Sequence, residues 1–174
     1  MNRAQGQPPR IHIVGRRNSG KTTLVCDLVR ELTTRGMRVA TIKHTHHNHE
    51  LDTPGKDSWN HREAGAVGVG ILSPHMLAAF VPSNRSEHTT ADYDQLNTMF
   101  PDCDLLIVEG DLHADGVKLE VWRAEVSEQP YAAEGHDIRS VISDDPVRSA
   151  PEVWSRKDVP NLATQVLEAA GLEG

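Results

Sequence analysis

Residues Gly15-Arg16-Arg17-Asn18-Ser19-Gly20-Lys21-Thr22 have the spacing G-x-x-x-x-G-K-[ST], the pattern of a loop that wraps phosphate groups. A polyphosphate packs several negative charges into a small volume. Successive backbone N–H groups at a helix N-terminus match that charge, helped by the helix dipole. Gly15 and Gly20 permit the torsions and the close approach that a side chain would block. Lys21 supplies a mobile cation for the β- and γ-phosphates. The Thr22 hydroxyl suits Mg²⁺, which prefers oxygen ligands and keeps several waters. Asn18, Ser19 and Thr23 complete the expected phosphate-binding stretch.

Such a loop needs an acidic residue at the end of a neighbouring strand to hold the metal shell. Glu109 follows the apolar run Leu105-Leu106-Ile107-Val108 and is the favoured metal-side acid, with Thr22. Asp52-Thr53-Pro54-Gly55 also has a D-x-x-G form, but no buried strand precedes it. Asp52 or Asp57 acting from a switch-like loop is the alternative, and a plain turn is the bland reading. For the base, a carboxylate accepts well from the ring N–H and amino group of guanine. Asp144, in Ser143-Asp144-Asp145-Pro146 after a late strand, is the candidate. Its competing role is a cap or turn before Pro146.

The elements around these residues give the motif its context. Ile11-His12-Ile13-Val14 reads as a buried strand, and residues 22–32 as a helix with Leu24, Val25, Leu28, Val29 and Leu32 on one face. Gly36 marks its end, and residues 38–43 form the next strand. Strand, loop, helix, strand predicts a parallel sheet with a right-handed crossover. The His-rich, Pro54-Gly55-containing stretch 44–57 is a loop. A short helix is expected at 58–64 with Ser58 as N-cap. Residues 66–72 and 76–81 are expected to pair as an inserted hairpin across Ser73-Pro74-His75. A polar, mobile connection follows at 83–90, then a helix near 93–99. Strands are expected at 104–108, 117–123 and 138–143, and a closing helix at 161–170. The fold class is therefore α/β: a P-loop NTPase-like, mostly parallel sheet flanked by helices, with an inserted β-hairpin. Residues 1–174 are expected to form a single nucleotide-binding domain, with 1–9 a flexible tail.

The formal charge of −7 over 174 residues argues against a general nucleic-acid binder. No apolar run approaches membrane-spanning length, and no signal peptide is evident, so a cytoplasmic protein is expected. Cys26 and Cys103 make neither a disulfide scaffold nor a zinc site, and both are expected to be buried thiols.

Three blocks together resemble the molybdopterin-guanine dinucleotide biosynthesis adapter protein family (MobB). They are Gly15 to Leu24; Ile42-Lys43-His44-Thr45-His46-His47 through Leu51-Asp52-Thr53-Pro54-Gly55-Lys56-Asp57-Ser58 to Arg62-Glu63-Ala64-Gly65-Ala66; and Leu106-Ile107-Val108-Glu109-Gly110 with Lys118-Leu119-Glu120-Val121-Trp122-Arg123. The resemblance implies a dimeric protein that binds GTP with Mg²⁺ and hydrolyses it weakly. It implies assistance to the molybdenum cofactor guanylyltransferase, with molybdopterin as a possible further ligand. It carries phosphate-loop roles onto Gly15, Gly20, Lys21 and Thr22, and places Lys43, His44, Asp57 and Ser58 on the nucleotide or pterin side. Asp111-Leu112-His113 departs from the family's Gly-Phe-Lys pattern after Gly110, which puts a Lys contact there in doubt.

Two other functions compete. His44, His46, His47 and His49 crowd one segment, and imidazole suits Ni or Zn, so a GTPase metallochaperone is the main alternative. A small-molecule kinase ranks third, with Arg85 a lone lid cation. Trp59 and Trp122 are expected to pack rather than to stack on a ligand.

Overall fold

The computed structural model describes residues 7–45, 52–82, 89–100 and 102–173. In chain order the elements are β1 (Arg10–Val14), α1 (Lys21–Thr34), β2 (Val39–Lys43), α2 (Asp57–Glu63), β3 (Val69–Ser73), β4 (Met76–Phe80), α3 (Thr90–Asn97), β5 (Leu105–Glu109), β6 (Val117–Val121), β7 (Ser140–Ile142), β8 (Val153–Trp154) and α4 (Val159–Ala169). A single 3-10 turn, Tyr131–Glu134, lies between β6 and β7. The chain divides into two compact units, Met1–Thr45 with Thr89–Gly174, and His46–His88.

The first unit is a six-stranded sheet in the order β2-β5-β1-β6-β7-β8, parallel at every pairing. The apolar runs of β1 and β5 are buried on both faces, as parallel strands covered by helices require. Ile11 and Ile13 join Leu105, Ile107, Leu119 and Ile142 in the core shared with α1 and α4. Alternation along the strands sends Leu106 and Val108 to the other face, against Tyr93 of α3.

Helix α1 points Leu24, Val25, Leu28 and Leu32 inward, the face its spacing predicts. Gly36, at φ 83°, follows the helix end, where Met37 N–H reaches the Leu32 carbonyl at 3.1 Å. Helix α4 begins at Asp158, whose carboxylate accepts from the Asn161 N–H at 3.1 Å, with Pro160 in its first turn. The family of elements matches the α/β reading, mostly parallel and flanked by helices. Among the described residues no helix is long and apolar enough to cross a membrane.

The second unit holds α2 and the antiparallel pair β3–β4, with Leu72 opposite Leu77. This is the inserted hairpin. Ser58 is not the N-cap of α2; Lys56 is, and Ser58 lies inside the helix. Its hydroxyl instead donates to Asp52 Oδ1 at 2.7 Å. Residues 1–6, 46–51, 83–88, 101 and 174 lie outside the described set. So do most of the proposed tail, most of the expected connection at 83–90, Arg85, and the cluster residues His46, His47 and His49.

Several boundaries differ from expectation. Helix α3 starts at Thr90 rather than 93, because Thr89 and Asp92 close a capping box. Strand β7 is shorter than 138–143, and β8 has no counterpart in the sequence reading. Cys26 is exposed and Cys103 only part-buried. Cys26 sits on α1 between the inward positions and falls on the solvent side of the helix.

His12 is fully buried in β1, with the Tyr93 ring edge-on at 5.5 Å. Burial, then the nearby Arg10 guanidinium, pushes its imidazole down from 6.5 to about 4, against the pull of the Gly110 backbone and Asp111. A depressed histidine leaves the unfolded chain binding more protons between those values. The stability it contributes is therefore complete above about pH 6.5 and lost on acidification to about pH 4, on the order of 3 kcal/mol. Urea unfolding at pH 7 and pH 4.5 should show that slope in the parent and a shallower one in His12→Met. Equal slopes would remove His12 from the acid response.

Candidate functional site

Strand β1 lies between β5 and β6, so the chain leaving β1 emerges where the strand order reverses, at the carboxyl ends of the strands. Ligands of open α/β sheets bind at that position. Residues 15–20 form the loop there, and α1 starts directly after it. Gly20 is the N-cap, at φ 91°, and no side chain caps the helix. The first-turn N–H groups are thus left to an external acceptor.

Gly15, at φ 141°, packs against the end of β6. A Cβ on it would stand 2.4 Å from the Val121 carbonyl oxygen and 2.9 Å from Ser19 Oγ. Asn18 adopts the left-handed conformation at φ 65° and is exposed. Ser19 Oγ is buried with no hydrogen-bond partner among the described residues. An unpaired buried hydroxyl under such a loop fits an acceptor-rich ligand.

Lys21 Nζ donates to the carbonyls of Gly15 at 2.8 Å and Arg16 at 2.7 Å, inside its own loop. Burial holds its ammonium below the usual lysine range; Glu109 opposes that and Lys43 adds to it. Thr22 Oγ1 donates to Glu109 Oε1 at 2.7 Å. The two residues expected to serve a metal ion therefore meet, brought together because β5 neighbours β1. Their oxygen donors fit Mg²⁺. Arg17, Asn18, Lys21, Thr23, Lys43 and Glu109 border an open pocket of about 540 Å³.

His44 follows β2 and is tied to the same strand end: its N–H donates to the Glu109 carbonyl at 2.9 Å. Its Nε2 lies 3.9 Å from Asp111 Oδ2, and Asp111 accepts from the Tyr93 hydroxyl. Asp111 thus belongs to a buried polar cluster. Asp57 opens α2 in the other unit and is exposed. Asp52, also in that unit, accepts at one oxygen from Thr53 N–H and Ser58 Oγ, the pattern of a side-chain-stabilised turn. Among the described residues no group of three or more His, Cys, Asp or Glu could hold a metal ion.

Asp144 follows β7, on the other side of the loop from Glu109. Its Oδ1 accepts from Ser155 Oγ and from Arg156 N–H, each at 3.0 Å. Burial acts against the charge, but those two bonds and Lys157 hold the carboxyl below the usual range. Asp145 Oδ2 accepts from Ala124 N–H at 2.9 Å. The turn role is thus real, and it also fixes an ionised carboxylate at the edge of a second pocket of about 480 Å³. Trp122, Arg123, Ser143 and Arg156 border that pocket as well.

Sequence reasoning gave no role to Arg123 and did not single out Arg156. Arg156 Nη2 donates to the Gly20 carbonyl at 3.3 Å, across a chain separation that no local pattern reveals. Arg16, within the loop, was also given no role of its own. It stacks over the Tyr131 ring at 4.7 Å and pairs with Glu134. The 3-10 turn carrying those residues is fastened by Glu120, whose carboxylate accepts from the N–H groups of Tyr131 and Ala132. Trp122 is buried and Trp59 half-buried under Arg62, so both pack as expected.

The chain is similar to known proteins along most of its length. The model of the family described as MobB, molybdopterin guanine dinucleotide synthesis protein B, matches residues 10–144. A molybdopterin-guanine dinucleotide biosynthesis adapter protein of Escherichia coli is 33% identical over 152 residues, 86% of each chain. One from Haemophilus influenzae is 34% identical over 160 residues, 90% of this chain and 86% of the relative. A crystal structure of molybdopterin-guanine biosynthesis protein B superposes with a TM-score of 0.69 at 30% identity, covering 93% of this chain and 99% of that one. The MobB homologue of Bacillus stearothermophilus gives 0.68 at 24% identity, over 94% and 98%, which supports the fold.

The Gly15 contact yields a test. Gly15→Ala should cost about 1–3 kcal/mol or more from overpacking, on top of the strained torsion. Gly36→Ala, with nothing within 4 Å of its added carbon, should cost less. Urea midpoints for the two variants check the order; a milder Gly15→Ala would show that β6 yields.

Proposed function

The chain belongs to the molybdopterin guanine dinucleotide synthesis protein B (MobB) family, and on that premise we propose that it is a GTP-binding adapter in formation of molybdopterin guanine dinucleotide. In this reading it binds GTP with Mg²⁺ at the loop, hydrolyses it weakly, and assists the molybdenum cofactor guanylyltransferase. The observation that carries the reading is the loop itself, with Thr22 and Glu109 joined at 2.7 Å beside Lys21.

Lys21 would leave the Gly15 and Arg16 carbonyls for the phosphate oxygens, exchanging neutral acceptors for charged ones, which make stronger hydrogen bonds. The open N–H groups of α1 and the Ser19 hydroxyl would take further oxygens. Thr22 and Glu109 would hold the Mg²⁺ shell, and the ion would neutralise phosphate charge. Asn18, Thr23 and Lys43 border the same pocket, while His44 braces its Glu109 wall.

The ionised Asp144 favours guanine over adenine. Guanine offers the ring N–H and the amino group to a carboxylate; adenine offers a lone pair at the same ring position, which a carboxylate repels. Weak turnover suits an adapter, because none of the described residues bordering the loop pocket is a Gln or His that could orient an attacking water. Asp57 and molybdopterin enter this reading only through the family resemblance.

Titration calorimetry with Mg²⁺ tests it. GTP should bind and ATP much more weakly; Lys21→Ala should abolish GTP binding while melting like the parent. Preference for ATP, or unchanged GTP affinity in a folded Lys21→Ala, would sink the assignment.

A homodimer is also proposed. Among the described residues no further strand pairs with β3 or β4, and Leu72, Met76 and Leu77 are 82%, 69% and 60% exposed, an association-prone edge in a monomer. Light scattering at micromolar concentration should give twice the chain mass, and Leu72→Lys with Leu77→Lys should halve it. A monomeric parent would refute this.

A further inference from the structure

Two arginines from distant parts of the chain converge behind Gly20. Arg123 follows β6 and borders both pockets, the one at the loop and the one at Asp144. Arg156 follows β8. A Cβ on Gly20 would stand 2.5 Å from Arg156 Nη1 and 3.3 Å from Arg123 Nη2, so both guanidinium groups close on one point. Arg156 Nη2 has the Gly20 carbonyl, but Nη1 is buried with no hydrogen-bond partner among the described residues.

The neighbouring charges do not explain the arrangement. Burial first, then the proximity of Arg123, lowers the proton affinity of Arg156, with Asp27 and Asp144 opposing. The carboxylate that Arg123 reaches is Glu125, at 3.1 Å, which is 71% exposed on its side chain. Exposed pairs of that kind contribute little. Two cations held together beside a buried unpaired N–H are stabilised by an anion between or next to them.

The nature of that anion follows from position. A ligand that places a polyphosphate at Lys21 and Thr22 and a base at Asp144 must cross the boundary between the two pockets. Arg123 stands on that boundary. The segment of a nucleotide that lies between the outer phosphates and the base is the α-phosphate with its sugar. Guanidinium groups match phosphate oxygens in geometry and charge.

We propose that Arg123, oriented by Arg156, binds the α-phosphate of a nucleoside di- or triphosphate spanning the two pockets. This rests on the nucleotide reading above, and it gives the site a cation that the loop motif does not contain. Gly20 then has a second reason to lack a side chain: it leaves room for the Arg156 guanidinium.

The test is calorimetric titration of the full chain with GDP and Mg²⁺ at two salt concentrations, for the parent, Arg123→Gln, Arg123→Lys and Arg156→Gln. Arg123→Gln should weaken GDP about ten- to hundred-fold, the range for one hydrogen bond to a charged group, and flatten the salt dependence. Arg123→Lys should recover part of the affinity and all of the salt slope. Arg156→Gln should weaken GDP less than Arg123→Gln. Thermal melts within a few degrees of the parent show that folding is not the cause. Unchanged GDP affinity in Arg123→Gln overturns the proposal. So does a loss that Arg123→Lys does not relieve and that leaves the salt slope unaltered, since the contact is then not to phosphate charge. A parent protein that binds neither GDP nor GTP fails at the earlier step and removes the nucleotide reading itself.

Discussion

The backbone of Gly15 lies against the Val121 carbonyl with no room for one carbon atom, 2.4 Å being the distance such an atom would have. That approach fixes the loop on the end of β6. Because β1 has β6 on one side and β5 on the other, the same anchoring sets Thr22 opposite Glu109 and leaves Arg123 beside Gly20. The strand order is thus the source of the site: each neighbour of β1 contributes one wall. The helix N-terminus between them has no side-chain cap.

Charge is distributed against the average of the chain. The net formal charge is −7, yet Arg17, Lys21, Lys43 and Arg123 all border the loop pocket, with Glu109 the acidic residue among its lining. A positive cleft in an acidic protein focuses the field on small anions, while the outer surface repels polyanions such as nucleic acid. The proton affinity of Lys21 reflects the same crowding, lowered by burial and by Lys43 but supported by Glu109.

The parts of the fold that local pattern determines were legible. The glycines and Lys21 announce the loop, the apolar spacing of α1 announces its buried face, and the run 105–108 announces a strand ending in Glu109. The hairpin was visible from two extended stretches around Ser73-Pro74-His75. What was not legible depends on tertiary contact. Strand β8 has two residues, and only pairing with β7 makes it a strand. Ser58 looked like a cap, yet Asp52 holds its hydroxyl. Arg156 is an ordinary exposed-looking residue in sequence, and its place beside Gly20 depends on the packing of β7 and β8. Asp144 was a candidate through its position after a strand, while its bonds to Ser155 and Arg156 required the folded chain.

The bond from Arg156 to Gly20 joins residues 136 apart in sequence, and Arg156 lies beyond the stretch that the family model covers, residues 10–144. The loop leaves the ribosome 136 residues ahead of the arginine behind it. A growing chain therefore carries a recognisable phosphate motif long before Arg156 can join it. Closing so long a segment is entropically slow compared with forming α1. The wall behind the loop is in that sense a report on synthesis and folding of the whole stretch from Gly20 to Arg156.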